Sequence, residues 1–322
     1  MICLLLTHYC LLLTVLLMVD QERLKEVKNA TIQLFTPLWQ SNFNKNKRDI
    51  ARCPGVNTLK DKFKNIPCVI VGAGPSLDKN IKYLHAAKDR TLIISCDAAL
   101  KTLLSNSITP SLVINLDPQE YVVDFFKGLD TRGLTLVAST VIHPSVLKMW
   151  YGRIIFYNKY APDIPLFKQI QAVANEVGTL TPGGSVLSVA YDLSFKIGAN
   201  PITFIGQYLS YSSGNVYTRE IIHKEENLSS IYEKQKENIV SEMDIFGSDI
   251  PTIKSMSVTK QWLEWAFSQW KRDGALDVIN STEGGILKNG CQIMPLSEVI
   301  YRYCNKKINA IWMLNKILKY KI

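Results

Sequence analysis

The sequence predicts a doubly wound α/β protein with a mostly parallel sheet and flanking helical segments, and three observations carry that prediction. Short apolar runs, mostly β-branched, alternate with helical patterns between residues 68 and 205, the order that builds a parallel sheet covered on both faces. Gly, Asp and Asn collect just after those runs, where such sheets hold their sites. The composition, 47% hydrophobic and 20% charged over 322 residues, is that of a globular chain able to bury one large core or two smaller ones.

Taken in order, residues 1–19 are almost wholly apolar and close to the length of a membrane-spanning helix. They are expected to be an anchor, an unused start or a helix buried on the rest of the protein. An anchor would keep the remainder in the cytoplasm, because Arg23, Lys25 and Lys28 follow it. Residues 20–64 read as a helical accessory arm: an amphipathic helix from Asp20 to about Phe35 on Leu24, Val27, Thr31 and Leu34, then a polar, basic connector. The α/β domain follows over 65–223. Its strands are expected at Val69–Val71, Leu92–Cys96, Leu112–Leu116, Leu134–Ala138, Ile154–Tyr157 and Ile202–Ile205. Its helices start at Leu77, Ala98, Glu120 and Pro144, and span Ile164–Val173 and Ser185–Ile197. Residues 224–322 read as a helical region, with helices near 228–243 and 259–271, one returning strand within 276–280 and a basic C-terminal helix pair.

Charge and cysteines narrow the class. The net charge of +9 resides in the flanks: residues 302–322 carry six basic side chains and no acid, and 21–64 carry ten basic and four acidic. That leaves 65–301 at −2, so the expected site is not basic and nucleic acid is not an expected partner. Seven cysteines without a Cys-x-x-Cys pair fit reduced cytosolic thiols and no zinc site.

The stretch Gly72-Ala-Gly74-Pro75-Ser76 joins the first strand to a helix, and the free N–H groups at that helix start favour an anion. Gly183-Gly184-Ser185 opens a second helix in the same way, so two helix starts are expected to converge on one phosphate. Between them lie Asp97, Asn115, Asp117 and Gln119, and beyond them Gly206-Gln207. Asp97 and Asp117 suit ribose hydroxyls, a metal or a general base; the alternative is helix capping. Tyr211 and Tyr217 suit base stacking or phosphate contact, or simple packing. His223 is a candidate base without a visible partner.

These motifs in sequence, Gly72-Ala-Gly74-Pro75-Ser76-Leu77, Cys96-Asp97-Ala98-Ala99-Leu100, Asn115-Leu116-Asp117, Thr181-Pro-Gly-Gly-Ser185, Gly206-Gln207 and Asn280-Ser-Thr-Glu283-Gly-Gly285, resemble the Maf (motility-associated factor) glycosyltransferases. Those share a core with MptE-like 6-hydroxymethylpterin diphosphokinases, and the resemblance covers roughly residues 20–300. It implies a Rossmann-like, sialyltransferase-like fold. The implied activity is transfer of a nonulosonic acid, pseudaminic or legionaminic in type, from its CMP-activated form to Ser or Thr of flagellin, with no cofactor required. On that likeness Gly72, Gly74, Ser76, Asp97, Asn115, Asp117, Thr181 and Ser185 line the nucleotide, and Tyr211 and Tyr217 approach the leaving phosphate. The chain departs from the family at Tyr208, where an aspartate is usual, which predicts that Tyr208→Asp raises activity. Two alternatives stand beside this reading: a pterin diphosphokinase using ATP and magnesium, and a nucleotide-binding partner protein without catalysis.

Overall fold

The computed structural model describes residues 21–211, 236–270 and 276–318. The apolar run 1–19 and the segment 212–235 therefore lie outside the described residues. Within the described ones, no helix is long and apolar enough to cross a membrane.

Five strands form where expected: β1 (Cys68–Val71), β2 (Leu92–Cys96), β3 (Leu112–Asn115), β4 (Thr135–Ser139) and β5 (Arg153–Lys159). A two-residue β6 (Thr179–Leu180) and then β7 (Ile202–Ile205) follow. Every residue of β1, β2, β3, β4 and β7 is buried, which is why these segments are continuous apolar runs and pair in parallel. Strands β10 (Val278–Asn280) and β11 (Gln292–Ile293) extend the sheet, giving nine strands in the order β11-β10-β7-β1-β2-β3-β4-β5-β6 with every pair parallel.

The crossovers are α2 (Leu77–Ala87), α3 (Leu100–Ser105), α4 (Pro144–Met149), α5 (Pro165–Val173) and α6 (Val186–Ile197). The helix expected from Glu120 is a 3-10 segment, Glu120–Phe125. The C-terminal pair is present as Leu296–Tyr303 and Ala310–Ile317.

Two expectations are corrected. The N-terminal helix does not end near Phe35; α1 runs from Gln21 to Ile50 with Pro37 inside it. Its second half docks on the sheet through Trp39, Phe43 and Ile50, each worth about 1.5–3 kcal/mol when buried. Asn42 and Asn46, which made this stretch look like a polar connector, are buried there. Their amides donate to the carbonyls of Pro118, Val141, Thr140 and Ile142, satisfying loop groups that burial would otherwise strand. The other correction lies in 239–243, expected as helix. It is β8 (Ile239–Met243), paired antiparallel with β9 (Asp249–Ile253). The Asp244 carboxylate accepts from the N–H groups of Phe246 and Ser248 and fixes the turn. Helix α7 (Lys254–Gln269) follows directly.

Candidate functional site

The strand order reverses between β1 and β7, and at such a switch point the two loops diverge and leave a crevice. Here the two turns first touch. Gly72 N–H donates to Ile205 O at 2.8 Å and Gly74 N–H to Gly206 O at 2.9 Å. A Cβ on Gly72 would lie 2.5 Å from the Gly206 carbonyl oxygen, and Gly206 itself sits at φ +66°. The glycines are therefore explained by close approach of two backbones, not only by a ligand.

Tyr208 lies against this contact. A Cβ on Gly74 would fall 3.1 Å from its ring and one on Gly284 2.8 Å from it. Its phenol is beside the Ser76 hydroxyl and the Glu283 carboxylate. Ser76 sits at the start of α2 in helical conformation, without a side-chain capping bond. The expected anion seat at the first helix start is thus covered by an aromatic ring.

Beyond Tyr208 the crevice opens into a cleft of about 910 Å³ at the C-terminal ends of the strands. Gly74, Asp97, Asp117, Gly183, Gly184, Ser185, Gly206 and Gln207 all line it. The first half of α1 roofs it, through Leu24, Val27, Thr31 and Phe35, and Trp262 of α7 closes one side. The roof is tied down by Arg23 donating to Ser257 at 2.7 Å, by Lys254 with Glu26 at 2.8 Å, and by Lys28 with Asp163.

Three of the ionisable groups lining this space stand at strand ends. Asp97, at the end of β2, is only 7% exposed. It accepts from Asn115 Nδ2 at 2.6 Å and from the Ala98 N–H at 2.8 Å. Burial nevertheless lifts its carboxyl to about 6, with Asp117 adding to the rise. Asp117, at the end of β3, accepts from the Tyr121 hydroxyl at 2.6 Å and from the Gln119 N–H at 2.9 Å. Lys159 ends β5 and is 6% exposed. Its ammonium lies 5.0 Å from the centre of the Trp39 ring and 5.9 Å from that of Phe167. Burial pushes it down to about 7, opposed by the attraction of Asp117.

The second helix start is built differently from the first. Ser185 caps α6 by accepting from Ser188 N–H at 3.3 Å, while Ser188 Oγ accepts from Gly183 N–H at 2.8 Å. A Cβ on Gly183 would strike the Trp262 ring at 2.1 Å. Thr181 N–H donates to Asp192 Oδ2 at 2.6 Å, and Asp192 also pairs with Lys196. Several donors of the turn are thus already engaged inside the protein.

The remaining candidates stand off the cleft wall. Asn115 lies behind Asp97 and Gln119 beside Asp117, each holding a carboxylate in place. Gly72, Pro75, Ser76, Thr181 and Glu283 are not among the lining residues, although the Glu283 carboxylate lies near the Tyr208 phenol. Tyr211 is buried and bonded through its N–H to Pro251 O of β9. Tyr217 and His223 lie outside the described residues. The sequence reading missed Lys159, Trp39, Tyr121 and Asp192. A lone lysine closing a buried strand was the available signal for the first; the others have none.

A doubly wound parallel α/β protein with a cleft at its switch point, charged groups set among largely apolar walls, is the class this geometry defines. The family model described as 6-hydroxymethylpterin diphosphokinase MptE-like matches residues 41–214, and the chain belongs to that MptE-like family. The structure of a MAf glycosyltransferase from Magnetospirillum magneticum AMB-1 is similar, with a TM-score of 0.59 and 18% identity over 81% of this chain and 37% of that one. At that identity the likeness is one of fold. An uncharacterized protein of Treponema pallidum (strain Nichols) is 26% identical over 174 residues, 52% of this chain and 30% of the relative. A second from the same organism is 32% identical over 89 residues, 26% of this chain and 40% of the relative. The chain thus spans less than half the length of each of these proteins.

Proposed function

We propose that this cleft binds a CMP-activated nonulosonic acid and transfers the sugar to a Ser or Thr hydroxyl of an acceptor protein, flagellin being the acceptor the Maf resemblance suggests. The observation that carries the reading is Asp97, a buried carboxylate with a carboxyl near 6, opening on a cleft large enough for a nucleotide sugar.

In the proposed step the acceptor oxygen attacks the anomeric carbon, and its proton passes to Asp97. The bond from that carbon to the phosphate oxygen breaks, and CMP leaves with the electron pair. Positive charge developing on the sugar is favoured by the nearby carboxylate of Asp117, and negative charge on the departing phosphate by donors on the cleft wall. No metal enters this scheme. The protein would work in the cytoplasm, with membrane contact only if residues 1–19 supply it.

The family's own description favours a second reading, diphosphoryl transfer from ATP to a hydroxymethylpterin. Asp97 and Asp117 would then share a magnesium ion with the phosphates, a ligand set that ion accepts. Thermal denaturation of the full chain with CMP, CTP, ATP with magnesium, or a pterin separates the two. A ligand at about 100 times its dissociation constant stabilises by about 2.7 kcal/mol. Stabilisation by CMP without metal is expected. Stabilisation by ATP only with magnesium transfers the assignment to the diphosphokinase. Binding of CMP without turnover of a CMP-sugar leaves a binding protein, the outcome that Tyr208 in place of the family aspartate would explain.

A further inference from the structure

We propose that Lys159 and the Trp39 indole N–H form an oxyanion site in the cleft, which receives a phosphate or carboxylate group of the bound ligand. Lys159 lines the cleft, is 6% exposed, and has neither a hydrogen bond nor an ion pair among the described residues. Its ammonium rests over the rings of Trp39 and Phe167, which shield it from water and fix its position without neutralising it. Trp39 lines the same cleft, and its Nε1 is buried without a hydrogen-bond partner. Gln207 Nε2 is also a buried donor without a partner, but it follows β7 at the other side of the cleft and does not belong to this site.

Buried donors are almost always paired, so the Lys159 ammonium and the Trp39 N–H, in contact with each other's side chains and both unpaired, point to a ligand that supplies acceptors. The charge in that pair selects an anion. Asp117 attracts Lys159 but is already engaged by Tyr121 and Gln119 and makes no ion pair with it. The neighbouring wall cannot serve as well: the first helix start is covered by Tyr208, and donors of the second are held by Ser188. The lowered proton affinity of the lysine agrees with a cation desolvated ahead of its counter-ion.

This proposal deepens the reading of the cleft as a nucleotide-sugar site and rests on it for the choice of probes. The full chain and its Lys159→Met variant are compared for binding of CMP, cytidine and free N-acetylneuraminic acid. One charge-assisted hydrogen bond corresponds to roughly tenfold or more in affinity. Loss of that size for CMP but not cytidine supports the site and assigns it to phosphate. Loss for N-acetylneuraminic acid but not CMP supports it and assigns it to carboxylate. Equal binding of every probe by both proteins overturns it. Trp39→Phe keeps the ring and removes the N–H; it repeats the comparison if Lys159→Met fails to fold. If the unaltered chain binds none of the three, the nucleotide-sugar reading fails by itself. Reductive methylation of Lys159 with and without saturating inorganic phosphate then decides: protection upholds the oxyanion site, and no protection overturns it.

Discussion

On its β1/β7 side the cleft is built from Gly74, Gly206 and the Tyr208 ring, with Gly72 packed against Gly206, and on its β2-to-β5 side from two carboxylates, a lysine and an indole. The first side is conspicuous in the sequence; on the second the carboxylates can be nominated but the lysine and the indole cannot, and it is the second that holds the unpaired charge. Gly72, Gly74 and Gly206 are glycines because two strand ends pack against each other, a demand that exists with or without a ligand. For Asp97 and Lys159 the contacts made on folding do not offset the loss of water, and burial works against the ionised form of both. Groups held at a cost to the fold are better evidence of function than groups the fold itself requires.

The largest effect expected is on turnover. Asp97→Asn is nearly isosteric and should lower sugar transfer by about 10²–10⁴-fold, the usual contribution of a general base, with thermal stability kept or raised. Transfer by the unaltered protein should climb as pH rises through about 6, where Asp97 loses its proton, and the variant should lose that limb. A variant that keeps full turnover would pass the role of base to another group.

The glycine side should respond in stability. Gly206→Ala places a Cβ 2.3 Å from Gly72 O at φ +66°, and should cost about 3 kcal/mol or more in urea denaturation. Gly128 has a similar φ, +74°, with nothing within 4 Å of a Cβ, so Gly128→Ala isolates the backbone component and should cost about 1 kcal/mol. Equal losses would mean that the meeting of the two turns is not what requires glycine.

Lys159→Met should change the pH dependence of stability. Folding lowers this group from 10.5 to about 7. Between those values the unfolded chain binds more protons, so stability rises with pH across that window, and the penalty is complete below it. The methionine variant should lose this slope and be the more stable protein at about pH 6. Denaturation at about pH 6 and about pH 9 tests both statements, and an unchanged slope would contradict the burial of an unpaired charge.

The smallest effect belongs to Tyr208. Tyr208→Asp uncovers the start of α2 and restores the acid of the resembling family, so turnover should rise, within about one order of magnitude. No rise in turnover or sugar-nucleotide affinity would remove the argument from the family pattern.

The parallel strands were legible because burial on both faces writes each of them as an unbroken apolar run, as in Cys68–Val71 and Ile202–Ile205. The second half of α1 was not, because Asn42 and Asn46 look solvent-facing until the carbonyls they satisfy arrive from segments far along the chain. The hairpin at β8 and β9 was hidden because Ile239–Met243 has no strong period, and only its partner across the Asp244 turn makes it a strand. Asp97 and Asp117 could be nominated from their places at strand ends. The environment of Lys159 could not, since Trp39 and Phe167 create it from two separate helices.

The sheet ends in β6 and β11, each two residues long, and the free side of β5 is met by Gly55 opposite Phe156 and by Pro54 O accepting from Phe156 N–H. Little bare main chain is left at either border for a visiting polypeptide to zip onto. A polypeptide arriving at these borders would therefore meet side chains rather than a strand edge it could extend.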